Sequence, residues 1–212
     1  MTLPVLSIDT AYDPNLVLFA RGRTDLYREC GAQFPITTLG QTAAERGRVL
    51  RTLQRGDGTA EPYRAIVVSS HGEPSRVLDD DSPGGVLLAD TFDEADLTRW
   101  ARSPAGGRIL YFCCCFTAKG PLFEKLIGLG AAVVAGFTGE PSWSSTEGQR
   151  IWRDFDLELV RSILNCQGAA ALARARDHFL DRIDHARPSA GPGYRTDLDN
   201  MKNTLETMVV RG

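Results

Sequence analysis

The chain has 212 residues, 42% of them hydrophobic, which suits one globular domain over residues 1–212 with a sizeable core. Twenty-four basic against twenty-seven acidic residues leave a net charge of −3 and no basic stripe, so nucleic acid is not the expected partner. No apolar run approaches the roughly 20 residues that cross a bilayer, and Met1-Thr2-Leu3-Pro4 lacks the charged and apolar regions of a signal peptide. The expectation is therefore no membrane and a cytoplasmic location. Five cysteines, of which Cys113, Cys114 and Cys115 are contiguous, do not form a disulfide framework. Adjacent cysteines rarely bridge and an odd count leaves a free thiol, which fits a reducing compartment.

In chain order, residues 3–8 read as a short strand and residues 16–20 as a second. The stretch 22–40 is mixed and supports no assignment. Residues 42–54 place Ala43, Ala44, Val49, Leu50 and Leu53 on a helical stripe that Gly56-Asp57-Gly58 ends. Residues 63–69 form an apolar, β-branched strand of the kind buried on both faces of a parallel sheet. Residues 72–85, with Pro74, three consecutive aspartates and Pro83-Gly84-Gly85, read as a loop or small hairpin. A brief apolar run follows at 86–89, then a helix over 93–101 with Leu97 and Trp100 inward.

The next strand covers 108–113. A helix over 119–129 turns Leu122, Phe123, Leu126 and Ile127 inward, and a strand over 131–137 follows. Residues 139–148 form a polar loop, 149–164 an amphipathic helix, and 168–183 a second helix rich in Ala and Arg. Residues 187–194 read as a surface loop, and 207–210 as a closing strand. Strands alternating with helices predict an α/β fold whose mostly parallel sheet is covered on both sides.

Sites in such sheets form beyond the C-terminal ends of the strands. His71 and Cys115 both fall there, on strands expected to be neighbours and 44 residues apart, which suits one crossover. A thiol needs a proton acceptor or a lowered pKa to attack, and a leaving amine needs a proton. Imidazole serves both near neutral pH. A tetrahedral intermediate also needs amide donors for its oxyanion. Gly72, without a Cβ, lets the backbone approach a substrate, so its N–H and that of Cys115 are the candidate pair.

Other readings stand beside this one. Three consecutive cysteines also suit packing at a strand end, with Cys113 and Cys114 on opposite faces. Contiguous cysteines lack zinc-ligand spacing. His71 also suits a strand-end histidine bonded to backbone. His178 and His185, near Asp177, Asp181 and Asp184, read as a solvated helix face rather than a metal patch. Trp143 either lines a cleft or anchors its loop. The chemistry requires no metal and no cofactor.

The residues carry a resemblance. Ile66-Val67-Val68-Ser69-Ser70-His71-Gly72-Glu73 resembles the histidine strand of the caspase–haemoglobinase superfamily of cysteine peptidases, which includes caspases, metacaspases, gingipains and CHAT-domain proteases. Residues 108–117 resemble the strand ending in its nucleophile. In that register Cys113-Cys114-Cys115 replaces the caspase Gln-Ala-Cys, making Cys115 the nucleophile. Residues 85–97, 170–176 and the closing strand are similar to CHAT proteins. Residues 130–136, Ser142-Trp143 and Gly148 are similar to the caspase segment after the nucleophile. The resemblance runs from about residue 63 to 212.

It implies a caspase-like αβα sandwich and a cysteine endopeptidase with a His71–Cys115 dyad. The likeness to the bacterial CHAT branch implies regulated, substrate-selective proteolysis, as in bacterial defence. The implied partner is a protein or peptide substrate, with room for a regulatory protein. The charged specificity residues of the family are replaced. Cys113 stands at the caspase glutamine position and is not the acidic residue that metacaspases and gingipains often carry before the nucleophile. Ser144 stands where caspases have Arg. Asp9, Cys113 and Trp143 are the candidate substrate-binding residues. Asp9 or Glu140 would supply a charge, whereas a pocket floored by Cys113 would take an uncharged side chain. The alternatives are a catalytically silent caspase-like or CHAT-like interaction module, suggested by Phe116 after the nucleophile, and a small-molecule thiol hydrolase or transferase.

Overall fold

The computed structural model describes residues 4–9, 14–30, 36–40, 52, 63–73, 85–87, 91–92, 108–118, 122–128, 130–165 and 167–212. Its centre is a six-stranded sheet built from β1 (Val5–Asp9), β2 (Ile36–Gly40), β3 (Ala65–Ser69), β7 (Ile109–Cys113), β8 (Val133–Phe137) and β9 (Met208–Arg211). The spatial order is β2-β1-β3-β7-β8-β9. All pairs are parallel except β8–β9, which is antiparallel. A smaller antiparallel sheet joins β4 (His71–Glu73), β5 (Gly85–Leu87) and β6 (Thr91–Phe92).

The helices are α1 (Pro14–Cys30), α2 (Leu122–Gly128), α3 (Thr146–Leu164), α4 (Ala169–Ala186) and α5 (Pro192–Glu206), with a 3-10 turn at Arg187–Ser189.

Every residue of β1, β3 and β8 is buried, as a parallel strand between two helical layers requires. Side-chain alternation divides the core in two. Val5, Val67, Tyr111 and Ala135 face one way, with Leu26 of α1, Phe155 and Leu159 of α3, Phe179 of α4 and Leu198 of α5. Leu6, Ile66, Phe112 and Val134 face the other way, with Phe123 and Leu126 of α2. Within α3, Ile151, Trp152, Phe155, Leu159, Val160 and Ile163 recur at helical spacing and form the inward stripe. The result is the αβα sandwich with a mostly parallel sheet that the sequence predicts.

Several local expectations need correction. Residues 16–20, read as a strand, lie inside α1. A five-residue apolar run carries no period that separates strand from helix, whereas Pro14 at the first helical position favours a helix. The unassigned stretch 22–40 holds the rest of α1 and β2. α3 starts at Thr146 rather than 149, because the Ser145 side chain accepts from the Gly148 amide at 3.0 Å and caps the helix. The surface loop expected over 187–194 contains the 3-10 turn, and Pro192 opens α5. The hairpin expected after His71 is present as β4 paired with β5. The helix expected at 93–101 lies outside the described residues, as does that at 42–54 apart from residue 52, which is helical. Among the described residues no helix is long and apolar enough to cross a membrane.

The parallel strands bring their C-terminal ends to one edge of the sheet. Register aligns Gly40, Asp9, Ser69 and Cys113 across β2, β1, β3 and β7. Paired residues of a parallel sheet share a face, so Asp9, Ser69 and Cys113 form one polar row over α1 and α3.

Candidate active site

β3 and β7 are direct neighbours, paired from Ala65↔Ile109 to Ser69↔Cys113. The Ser70 amide extends this pairing by bonding the Cys113 carbonyl at 3.4 Å. His71 follows Ser70 and opens β4, and Cys115 lies two residues beyond Cys113. The sheet thus releases the segments carrying His71 and Cys115 side by side from adjacent strands.

Cys115 sits half-buried in a tight turn after β7. The Phe116 amide bonds the Gly139 carbonyl at 3.2 Å, and the Ala118 amide bonds the Phe137 carbonyl at 2.9 Å. Thr117 Oγ1 donates to the Cys114 carbonyl at 3.3 Å. These bonds hold Phe116 at φ 59°, the one positive φ outside glycine among the described residues. Left-handed backbone costs an ordinary L-residue about 1–2 kcal/mol, and such strain gathers where a side chain must be aimed. Gly136 on β8 gives the turn room: a Cβ there would meet Thr117 Oγ1 and Phe123 Cζ at 2.8 Å. The strain at Phe116 had no sequence signal, because left-handed positions normally announce themselves as Gly, Asn or Asp.

The three cysteines occupy three environments. Cys114 is buried on the α2 side, its thiol 3.8 Å from the Val68 carbonyl. Cys113 faces the α3 side, so these two alternate between faces. Burial pushes both thiols up, and the Asp156 charge adds to this at Cys113. Both therefore stay protonated and poorly nucleophilic.

Beneath the polar row lies a buried ion-pair network. Arg23 of α1 is wholly inaccessible. Its Nε donates to Asp156 Oδ2 at 2.7 Å, a second nitrogen bonds Asp156 Oδ1, and the third reaches Asp9 Oδ1 at 3.1 Å. Tyr111 of β7 donates its hydroxyl to Asp156 Oδ1 at 3.0 Å. Ser7 donates to Asp9 Oδ2 at 2.7 Å and is hydrogen-bonded to Tyr27 at 2.8 Å. Burial raises the Asp9 pKa despite the opposing Arg23 charge. Burial alone would lower that of Arg23, but the Asp156 and Asp9 carboxylates together raise it. Arg23 and Asp156 went unnoticed in the sequence, since a single charged residue on an amphipathic helix normally faces water.

Cys113, Cys114 and Cys115 line a cavity of about 270 Å³. Tyr111 and Asp156 also line it, as do Ser69 and Ser70 at the end of β3. Phe137, Trp143, Trp152 and Phe155 supply an aromatic wall. Trp152 is the hub of that wall, with ring centroids 6.0 Å from Phe137, 6.1 Å from Phe155 and 6.5 Å from Trp143. Trp143 therefore lines the cavity and also packs its own loop onto α3. Glu140 lies exposed at the rim. Asp9 is not among the lining residues; its carboxylate is engaged by Ser7 and Arg23.

The loop over 138–145 that carries Trp143 is fastened by α3 and α5. Trp152 Nε1 donates to the Ser142 carbonyl at 3.2 Å. Thr204 Oγ1 reaches the Glu140 carbonyl at 3.4 Å, and Thr138 Oγ1 donates to the Thr207 carbonyl at 3.1 Å. Asp197 of α5 accepts from the amides of Ser144 and Ser145, at 2.6 and 2.7 Å, and from both serine hydroxyls. Gly148 makes room for it, since a Cβ there would overlap the Asp197 carboxylate. Burial would raise the Asp197 pKa, but the four hydrogen bonds together hold it below the ordinary value.

His178 and His185 are exposed on α4, near Glu158 Oε1 at 3.4 Å and the Asp181 carbonyl at 2.8 Å respectively. Among the described residues no three His, Cys, Asp or Glu side chains gather to hold a metal ion.

No family model matches this chain, and no curated protein matches it. Among solved structures it is similar to a secreted C11 cysteine protease from Bacteroides thetaiotaomicron, determined in complex with an irreversible peptide inhibitor. The TM-score is 0.47 and the identity 11%, over 66% of this chain and 49% of that one.

Two predictions follow from the buried groups. Asp156→Ala leaves Arg23 buried with one partner fewer, and urea unfolding is expected to show a loss of roughly 3–5 kcal/mol. A loss under about 1 kcal/mol would mean that the network does not hold the fold. Asp197, whose folded pKa lies below 3.8, stabilises the fold above that value and loses its contribution as pH falls through the depressed one. The stability gap between wild type and Asp197→Asn should therefore be full at neutral pH and shrink below pH 3.8. A gap independent of pH contradicts this role.

Proposed function

We propose that this chain is a cysteine peptidase working through Cys115 and His71. The observation that carries the reading is the direct pairing of β3 with β7. It releases residues 71 and 115 from neighbouring strand ends beside an aromatic cavity. Of the three adjacent thiols, two are kept protonated by burial, which leaves Cys115 to react.

In this reading His71 takes the Cys115 proton as sulfur bonds to the scissile carbonyl carbon. The tetrahedral oxyanion is held by the amides of Gly72 and Cys115. Collapse breaks the C–N bond, and His71 returns the proton to the departing amine. Water, deprotonated by His71, then hydrolyses the thioester, releasing the carboxylic acid and restoring the thiol. Every proton is accounted for between Cys115, His71 and water, and no redox partner is needed. The strained turn at Phe116 supports the reading, because three backbone and side-chain bonds fix the segment next to the nucleophile.

The test is turnover of a mixed peptide library read by mass spectrometry. Wild type should cleave, Cys115→Ala should not, and His71→Ala should lose about a hundredfold or more, with unchanged circular dichroism in both variants. Full turnover in either variant removes the assignment. No turnover by wild type favours the silent interaction module.

A further inference from the structure

We propose that the cavity beside Cys115 receives a large uncharged side chain of the substrate, on the acyl side of the scissile bond, because the Asp156 carboxylate at its floor is already satisfied by Arg23 behind it. The inference rests on the peptidase reading and names its substrate class.

A pocket for an acidic side chain needs a free cation. Among the described residues no Lys or Arg lines the cavity; Arg23 lies behind Asp156, and its side chain is 0% exposed. All three of its nitrogens are already directed at Asp156 or Asp9. A pocket for a basic side chain needs an available carboxylate. The Asp156 side chain is 2% exposed, and its oxygens already accept two bonds from Arg23 and one from Tyr111. An incoming ammonium or guanidinium would lose its water and meet the Arg23 charge behind the same carboxylate. Glu140 stands exposed at the rim, where water screens its attraction.

What remains inside, among the described residues, is neutral. The Cys113 thiol is kept protonated, and Phe137, Trp143, Trp152 and Phe155 present ring surface. Such walls reward apolar area and offer an uncharged side chain nothing to desolvate. The fastening of the Trp143 loop by Asp197 and Trp152 keeps this wall in place before substrate arrives.

Binding and turnover separate this inference from the reading beneath it. Cys115→Ala protein, checked for native circular dichroism, is titrated with N-acetyl tetrapeptide amides that differ only in the C-terminal residue: Leu, Phe, Lys, Arg or Asp. Tryptophan fluorescence reports occupancy. Leu and Phe are expected to bind at least about tenfold tighter than the three charged residues. Tighter binding of Lys or Arg overturns the proposal by showing that Asp156 is available, and tighter binding of Asp does so through Arg23. Equal binding of all five, or none, overturns it as well. Wild type is then given the matching peptidyl coumarin amides. Absence of turnover alongside the expected binding order removes the peptidase reading and upholds the pocket. Turnover with a charged preference does the reverse.

Discussion

The architecture of the sheet edge that carries Cys113 depends on one buried cation. Arg23 ties α1 to β1 through Asp9 and to α3 through Asp156, and Tyr111 extends the link to β7. Without those carboxylates a guanidinium could not be kept from water, because burying an unpaired charge costs several kcal/mol. With them, the same residue fixes the distance between two helices and two strands directly below the cysteine segment. The arrangement has a chemical consequence too. Two carboxylates share one guanidinium, and burial raises the Asp9 pKa. Cys113, in the same surroundings, is pressed towards its neutral form.

A second constraint acts from the opposite side of the cavity. Asp197 holds the loop ahead of α3 by two amides and two hydroxyls, while Gly148 leaves space for the carboxylate. The turn after β7 is bonded to the same region through Phe116 and Gly139. The turn carrying Cys115 and the aromatic wall are therefore parts of one bonded assembly. Preorganisation of this kind lowers the entropy lost when a substrate is positioned.

Much of the sheet was legible in the sequence because β3, β7 and β8 are buried on both faces and read as continuous apolar runs. The neighbouring placement of residues 71 and 115 followed from chain order and parallel pairing. α1 was misread because Leu16-Val17-Leu18-Phe19-Ala20 is too short to display a helical period. α5 was missed because its opening Pro192-Gly193 resembles a loop and much of its sequence is polar. The Arg23 network could not be foreseen, since its members are up to 147 positions apart, from Asp9 to Asp156, and only tertiary packing brings them together. The same packing gives Asp9 its partners, Ser7 and Arg23.

The central claim is that one thiol of five is a nucleophile activated by His71. It is tested most directly by mapping the adduct of a peptidyl acyloxymethyl ketone, using peptide mass spectrometry after brief exposure at neutral pH. The account predicts modification at Cys115 alone, and its disappearance in His71→Ala. Slow, equal modification of all five cysteines, or reaction centred on Cys113 or Cys114, would contradict it.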